Sequence, residues 1–451
     1  MWAAEAPPWQ PRGASVKWPA MPRGVFFLMA WTAASWLFPA DRHGAPKLPR
    51  VELVWHVENE KGEVVTSRKA EDPINPASVV KVATSLWALE RLGPAAAFET
   101  RFFARGGVDW ERGSVLGDLV VQGNGDPDFH VENALLVAKA LNQMGIREIQ
   151  GAVVVNSQFW MGWENGSAGT EPDPIKRALQ MAVRLRQGLD SHRWNPGIRQ
   201  TWRHLAFRRG WAPKEPPTVR VKGGVGADGR ANLGDLLLVH RSKSLLPTLH
   251  RLNAYSNNDI ERLALHLGNP EELAGMIQAR PGWSGEKPRF ATLSGLGENR
   301  LSPRQIVKLF RDLEASCRQR GVELEALLPV AGCHPGTLAK FFPRLAAPPY
   351  AGCLIGKTGT LTSTDGGVAV LAGVVQTAQG AFFFCLASPG ARGQLAEARK
   401  LQESWLVRFI DAHGGAAPES CRTALVEADE GVSVIPVAAS PLVNAAVKIR
   451  R

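Results

Sequence analysis

The stretch Asn75-Pro76-Ala77-Ser78-Val79-Val80-Lys81 decides how the rest of the chain is interpreted. Asparagine is a good N-cap and proline suits the first helical position, so the sequence predicts a helix that starts here and ends at Gly93-Pro94. Ser78 and Lys81 lie three residues apart, which puts both side chains on one helix face. A hydroxyl beside an amine is the minimum for an activated nucleophile. Because the positive helix end disfavours a charged ammonium, Lys81 is expected to act as a neutral base.

The Ser-x-x-Lys spacing alone is weak evidence, because it should occur about once by chance in a chain of ordinary composition. A second copy is indeed present, Ser284-Gly285-Glu286-Lys287. There Gly285 and Pro288 break any helix, so the pair is not expected to meet. By itself the first copy is as compatible with a solvated helix start as with an active site.

Composition indicates a globular chain and argues against some functions. The 451 residues are 45% hydrophobic and 21% charged, which is ample for a large core. The net charge of +11 favours an anionic environment, such as a membrane surface or an acidic wall polymer. Nucleic-acid binding is not expected, since no basic run is interleaved with aromatic residues.

The five cysteines include no Cys-x-x-Cys pair, so neither a zinc site nor a thioredoxin-like pair is indicated. Their odd number leaves at least one free thiol. A Cys333–Cys353 bridge and buried free thiols both stay open as interpretations.

Residues 1–44 are interpreted as an export signal or an N-terminal anchor. Basic residues precede an apolar run at 24–38, which is short for a membrane span. Cleavage and retention of this segment both stay open, as does Met21 as the true start. The protein is therefore expected to be exported, to the periplasm or cell envelope.

The pattern along the chain predicts an α+β fold with an insertion. A β-hairpin turning at 60–62 leads into the Ser78 helix, and closely linked strands at 353–361, 368–375 and 381–386 are expected to be antiparallel. Helices are expected at 245–252, from 260, from 302 and at 394–412.

The sequence pattern in the middle of the chain differs from the pattern on either side. Residues 101–240 have short strands around one helix at 131–144, with an irregular stretch at 160–217, and are interpreted as an inserted, mainly β domain. Residues 45–100 and 241–415 would then form one discontinuous domain, and 416–451 are assigned no fold.

Three motifs occur in order: Ser78-x-x-Lys81 at a helix start, Ser256-Asn257-Asn258 between helices, and Lys357-Thr358-Gly359 on a strand. This set resembles the active-site serine penicillin-recognising enzymes. The chain is similar, over about residues 50–410, to the D-alanyl-D-alanine carboxypeptidase/endopeptidase family of penicillin-binding protein 4 type. The segments that support this similarity are Asn75-Pro76-Ala77-Ser78, Gly93-Pro94, Gly117-Asp118-Leu119, Gly123-x-Gly125-Asp126-Pro127, Ile149-x-Gly151, Ser256-Asn257-Asn258, Ser294-Gly295-Leu296, Pro329-Val330-Ala331-Gly332, Gly336-Thr337-Leu338 and Lys357-Thr358-Gly359-Thr360-Leu361.

The resemblance implies a β-lactamase/transpeptidase-like domain, an antiparallel sheet flanked by helices, with a domain inserted between the first and second motifs. The insertion is shorter here than is usual in that family. Gly297-Glu298 also stands where the family tends to have Ser-Arg.

The resemblance also implies the residue roles. Ser78 would be the acylated nucleophile and Lys81 its base, and Ser256 would relay a proton to the leaving amine. The substrate-binding residues would be Asn258, for the substrate amide, and Lys357, Thr358, Gly359 and Thr360 on the strand, where Lys357 and Thr358 hold the terminal carboxylate. The backbone N–H groups of Ser78 and Thr360 would form the oxyanion hole. No metal or organic cofactor is implied.

A serine-type D-Ala-D-Ala carboxypeptidase, which could also be an endopeptidase, is the function that this set favours. Its expected partners are peptidoglycan stem peptides and, as covalent inhibitors, β-lactams. A β-lactamase is the alternative, but no Glu-x-x-Leu-Asn loop lies between the first two motifs. A catalytically inactive wall-binding protein is a second alternative, against which the complete set of motif residues argues.

Overall fold

The computed structural model describes residues 51–162, 171–228, 233–418, 421 and 423–438. The expected export signal or anchor at 1–44 lies outside these residues. Within the described ranges, no helix is both long enough and apolar enough to cross a membrane.

Strands and helices occur in groups along the chain. The strands are β1 (Val54–Asn59), β2 (Val64–Arg68), β3 (Glu99–Ala104), β4 (Val108–Asp109), β5 (Ser114–Val115), β6 (Leu119–Gln122), β7 (Glu148–Ile149), β8 (Val153–Val155), β9 (Arg220–Val221), β10 (Val225–Ala227), β11 (Asp235–Arg241), β12 (Leu354–Leu361), β13 (Val368–Thr377), β14 (Gly380–Pro389) and β15 (Ser433–Pro436). The α-helices are α1 (Val80–Leu92), α2 (Val131–Gln143), α3 (Pro174–Leu189), α4 (Pro196–Arg209), α5 (Leu245–Ala254), α6 (Ala264–Leu267), α7 (Pro270–Gln278), α8 (Pro303–Gln319), α9 (Thr337–Phe341) and α10 (Leu395–Ala412).

A five-stranded antiparallel sheet, in the order β12-β13-β14-β1-β2, supports the predicted site. Successive residues of β13 point to opposite faces, so Val370 and Val374 pack with α1 and α8, while Leu371 and Val375 pack with α10. Burial on both faces explains why β13 and β14 are nearly continuous apolar runs. The antiparallel arrangement predicted for these strands is confirmed, and β12 lies at the edge of the sheet.

The predicted helix at the first motif is confirmed at its end and shifted at its start. It ends at Leu92, followed by Gly93, whose positive φ of 78° is a value that glycine adopts easily. The α-helix begins at Val80, and a 3-10 turn at Ala77–Val79 precedes it. Ser78 therefore belongs to the 3-10 turn, in which side chains three residues apart are eclipsed. This geometry still favours the Ser78 and Lys81 side chains lying on the same side of the turn.

The segment between the first two motifs is mixed rather than mainly β, so this part of the predicted fold is corrected. Its strands form two sheets, in the orders β10-β8-β6-β3-β11-β15 and β4-β5-β7-β9, with parallel as well as antiparallel pairs, and β15 joins the first sheet from beyond the third motif. Helices α3 and α4 occupy much of 160–217, which was expected to be irregular. The chain from Arg50 onward forms one compact unit, so the division into a discontinuous domain and an insertion stays a prediction.

Local capping explains two of the helices that the sequence pattern did not predict, α3 and α4. Asp173 precedes Pro174 and its carboxylate accepts hydrogen bonds from the Ile175 and Lys176 N–H groups. Asn195 precedes Pro196 and caps α4 in the same manner. These N-cap and proline pairs are the same kind of helix start as the one at the first motif, and they could have been recognised.

Part of the chain after residue 416 has secondary structure, although no fold was predicted for it. Strand β15 pairs with β11, and a disulfide joins Cys333 to Cys421. Cys353, considered above as a partner for Cys333, is instead a buried free thiol, as are Cys317 and Cys385. The disulfide spans 88 residues, a separation that no local pattern indicates.

Candidate active site

Ser78 lies half-buried in a turn that the side chain of Asn75 holds. The Asn75 Oδ1 accepts the Ala77 N–H at 3.0 Å, and its Nδ2 donates to the Gly297 carbonyl at 2.9 Å and to Asp365 Oδ2 at 2.6 Å. Asn75 is not the N-cap that was predicted, because that position is Pro76 for the 3-10 turn and Val79 for the α-helix, but its side chain holds the turn in place. Ala77 has a φ of 49°, which costs energy for a residue with a side chain and is typical of functional sites.

Two glycines allow other segments to approach this turn closely. A Cβ on Gly295 would lie 1.9 Å from the Ala77 carbonyl oxygen, and a Cβ on Gly359 would lie 2.5 Å from that of Pro76. No real Cβ tolerates such a distance to backbone, so both positions require glycine as long as the backbone keeps this path. The third motif therefore packs directly against the turn that carries the predicted nucleophile.

Lys81 is fully buried at the start of α1. Its Nζ donates to the Leu252 carbonyl at 3.0 Å and to Asn257 Oδ1 at 3.1 Å. Burial lowers the pKa of Lys81 to about 8, although the carboxylates of Asp259 and Glu261 act in the opposite direction. A lysine with this pKa is substantially neutral in mildly alkaline solution and can accept a proton.

The second motif supplies a contact that the sequence analysis did not assign. Asn257, the middle residue of the motif, is buried and binds Lys81, and its Nδ2 also donates to the carbonyls of Leu252 and Tyr255. Ser256 is exposed and Asn258 is buried in the same loop. Asn257 could have been noticed from its place inside the Ser-x-Asn motif. Because the motif does not specify its middle residue, no role was predicted for Asn257.

Lys357 is buried on β12, and its Nζ donates to the Thr358 carbonyl at 2.8 Å. Burial, and then the charge of Lys81, hold the pKa of Lys357 well below its ordinary value. Gly359, two residues further along β12, lies against the Pro76 carbonyl oxygen in the turn that precedes Lys81. The first and third motifs therefore converge on one buried region.

Two further residues touch the hydroxyls of β12. Thr358 Oγ1 donates to Thr337 Oγ1 at 2.7 Å, and Thr337 Oγ1 donates to the Ala254 carbonyl at 3.4 Å. Thr360 Oγ1 accepts from Arg399 Nη2 at 3.0 Å. Thr337 connects the third motif to the end of α5, just before the second motif. It lies in Gly336-Thr337-Leu338, a segment whose role was not predicted.

In the part of the chain that the structure describes, no group of three or more His, Cys, Asp or Glu side chains is arranged to hold a metal ion. The chemistry of the region rests on hydroxyls, amines and amides. This combination suits nucleophilic attack by a serine, with a lysine as proton acceptor.

Comparison with known proteins tests the resemblance that the motifs suggested. Residues 42–178 and 215–410 match the D-Ala-D-Ala carboxypeptidase 3 (S13) family. The chain belongs to the S13 family. Membership supports a serine peptidase that acts on peptidoglycan, and it confirms the resemblance inferred from the motifs. The unmatched residues, 179–214, contain most of α3 and all of α4.

Solved structures confirm the predicted α+β fold of this S13 member. The Bd0816 predatory endopeptidase of Bdellovibrio bacteriovorus, in complex with immunity protein Bd3460, is 21% identical, with a TM-score of 0.70 over 85% of this chain and 99% of that chain. Bd3459, a predatory peptidoglycan endopeptidase from the same organism, is 21% identical, with a TM-score of 0.69 over 86% of this chain and 100% of that chain. Penicillin-binding protein 4 (dacB) of Haemophilus influenzae, in complex with a β-lactam, is 20% identical, with a TM-score of 0.55 over 79% and 97% of the two chains.

Proposed function

We propose that this protein is an exported, penicillin-sensitive D-alanyl-D-alanine peptidase that acts on peptidoglycan stem peptides through an acyl-enzyme on Ser78. The observation that supports it best is the environment of Lys81, a buried amine with a lowered pKa three residues from a half-buried serine. Burying an amine costs free energy, so a lysine at a core position favours a chemical role for that residue.

The chemistry follows from these positions. Ser78 Oγ attacks the carbonyl that precedes the terminal D-alanine, and Lys81 takes the hydroxyl proton. The peptide C–N bond breaks and an ester to Ser78 forms, while Ser256 relays a proton to the departing amine. Water then attacks the ester, giving a shortened peptide with a new carboxylate and restoring the serine.

The remaining motif residues would bind the substrate. Asn258 would hold the peptide amide, and Thr358, Gly359 and Thr360 would line the strand along which the substrate lies. The N–H groups of Ser78 and Thr360 would stabilise the oxyanion. Lys357, which is buried and has a low pKa, suits proton transfer near Ser256 as well as binding.

Carboxypeptidase and endopeptidase activities use the same groups, because both cut a bond that follows a D-alanine. Among the proteins similar in fold, Bd3459 is described as a peptidoglycan endopeptidase and has been determined in a form acylated by penicillin G. By analogy we propose that β-lactams acylate Ser78 here. Carboxypeptidase and endopeptidase activities should both be assayed. The net charge of +11 supports association with an anionic cell wall.

Labelling with a fluorescent penicillin tests this proposal. The wild-type protein should carry covalent label that survives denaturation, and Ser78→Ala should carry none. Ser284→Ala is the matched control, because it alters the second Ser-x-x-Lys copy, which lies in a loop, and it should label like the wild type.

Absence of label on folded wild-type protein, or equal labelling of Ser78→Ala, would refute the acyl-enzyme. Digestion of purified wall peptides then separates the activities: release of free D-alanine identifies a carboxypeptidase, and conversion of cross-linked dimers to monomers identifies an endopeptidase.

A further inference from the structure

A pocket of about 500 Å³ lies beside helix α4, between the residues that precede the helix and those that follow it. Its volume is that of a small-ligand site, and none of the motif residues lines it. All of its lining residues except Pro216 fall within 179–214, the stretch outside the family match. The pocket is therefore a feature of this chain that the S13 pattern does not describe.

The permanent charges that line the pocket are all positive. Arg199, Arg203 and Lys214 line it, and no aspartate or glutamate does. All three side chains are exposed, and none of them forms an ion pair with another described residue. Arg199 Nε donates to the Trp194 carbonyl at 3.3 Å, which holds the guanidinium at the pocket. A guanidinium has five N–H donors, so this contact leaves donors for a ligand.

Asp190, close to the pocket in the chain, does not cancel these charges. Its carboxylate is buried and is bound by His192 Nδ1 and by Arg193 Nε, each at 3.1 Å. Glu215 follows Lys214 in the chain but does not line the pocket. Three uncompensated cations around one concave site favour the binding of an anion.

Two buried indoles give the pocket a fixed apolar wall. Trp194 and Trp202 both line it, and their ring centroids lie 6.1 Å apart. The Trp194 Nε1 donates to the Gly188 carbonyl at 3.0 Å, and the Trp202 Nε1 donates to the Pro213 carbonyl at 2.9 Å. Because both N–H groups are used within the protein, the rings offer a ligand only apolar surface. A wall that is already ordered costs little to bring into a complex.

This combination fits a carboxylate that is attached to an apolar group. Arginine binds a planar carboxylate through two parallel N–H bonds. The indole surface suits the face of a sugar ring or an alanine methyl group better than a bare inorganic ion. Peptidoglycan offers all of these groups, since its amino-sugar strands carry peptides with free carboxylates.

A lipid surface fits the same place less well. A helix that binds a bilayer buries an apolar face in it. The apolar face of α4 is already packed against α2, through Ile198, Leu205 and Leu135. Phe207 is the large hydrophobic residue that α4 leaves exposed, and a single exposed residue of this kind is ordinary.

We propose that the pocket binds a carboxylate-bearing sugar–peptide unit of peptidoglycan, separate from the unit that is cleaved. The choice of ligand rests on the proposed function, since the polymer is the proposed substrate. Arg199 and Arg203 bind the carboxylate, Lys214 adds positive charge, and the indoles contact the sugar or a methyl group. Binding here holds the enzyme on the polymer, so it lowers the KM for polymeric wall material and leaves small peptides unaffected.

Co-sedimentation with purified, insoluble peptidoglycan measures this binding without requiring catalysis. The double variant Arg199→Gln/Arg203→Gln should bind roughly 5- to 30-fold more weakly than the wild type, the range for two exposed charge pairs. Lys400→Gln/Arg408→Gln removes the same charge from exposed positions on α10 and should bind like the wild type. Peptidoglycan whose carboxylates have been converted to amides should bind the wild type as weakly as intact peptidoglycan binds the pocket variant.

Three results would overturn the assignment. The first is equal binding by the wild type and the pocket variant, or equal binding to intact and amidated peptidoglycan. The second is an equal loss in the α10 control variant, which would show attraction by net charge alone. The third is sedimentation with phosphatidylglycerol vesicles but not with peptidoglycan, which would identify a membrane surface instead.

Lys214→Glu provides an independent check, because it places an acid at the pocket in an exposed loop position. It should also weaken binding to peptidoglycan, and unchanged binding would count against the proposal. All the variants should label with fluorescent penicillin at the wild-type rate, since no motif residue lines the pocket. A wild type that labels but does not bind peptidoglycan would overturn this inference alone. A wild type that binds peptidoglycan through the pocket but never labels would contradict the acyl-enzyme alone.

Discussion

The protonation of Lys81 should control the rate at which Ser78 is acylated. Its pKa is about 8, and only the neutral amine can take the serine proton. A group with this pKa is about 1% neutral at pH 6 and about half neutral at pH 8. We therefore expect the acylation rate constant to rise roughly 50-fold between these pH values and to level off above pH 9.

The direction of the effect follows from burial. Lys81 is lowered from an ordinary pKa of 10.5 to about 8 because the folded protein disfavours its charged form. Between these values the unfolded chain binds more protons than the folded protein, so stability should rise with pH across that interval. The full shift corresponds to about 3 kcal/mol, which is a cost to the folded state at neutral pH.

Rapid mixing with a fluorescent penicillin, from pH 6 to pH 9, measures the acylation rate constant directly. The carboxylate of the penicillin stays ionised over this range, so the change reports on the enzyme. Lys81→Met should slow acylation by orders of magnitude and remove the pH dependence. A flat or falling profile for the wild type, with label still on Ser78, would refute Lys81 as the base.

Two other substitutions test the framework of the site. Gly359→Ala places a Cβ 2.5 Å from the Pro76 carbonyl oxygen, so it should cost about 1–3 kcal/mol in denaturant unfolding and slow penicillin labelling at least tenfold. Gly224→Ala, where a Cβ meets nothing within 4 Å, is its control and should change neither quantity. Cys421→Ser opens a disulfide that spans 88 residues, and should lower the free energy of unfolding by up to about 4–5 kcal/mol. A reductant should lower the free energy of unfolding of the wild type by the same amount. A Cys421→Ser protein as stable as the wild type would contradict a stabilising role for the disulfide.

Local interactions made much of the fold predictable. The limits of α2 and α10, the start of α8 and the end of α1 follow from apolar spacing together with capping residues and glycines, which act within a few residues of each other. The antiparallel order of β12, β13 and β14 follows from connections too short for a crossover. Where local evidence was overlooked, at Asp173-Pro174 and Asn195-Pro196, two helices were missed although the same rule applied.

The site was predictable as a set of motifs but not as a set of contacts. The order of the three motifs indicated the family, which the match over 42–178 and 215–410 shows. The roles of the individual motif residues stay predictions until the variants are measured. The contacts of those residues did not follow from the motifs. Nothing in the sequence places Asn257 beside Lys81, Thr337 beside Thr358 or Arg399 beside Thr360.

What the sequence determined by itself is thus the presence of a serine and a lysine at a helix start, with the two further motifs in the family's order. The tertiary structure decided that Lys81 is buried against Leu252, 171 residues away, and that Cys333 pairs with Cys421 rather than Cys353. It also decided the pKa of Lys81, because desolvation depends on every segment that packs around the amine. Helix caps and periodicity act between neighbours in the chain, whereas burial and charge act between neighbours in space.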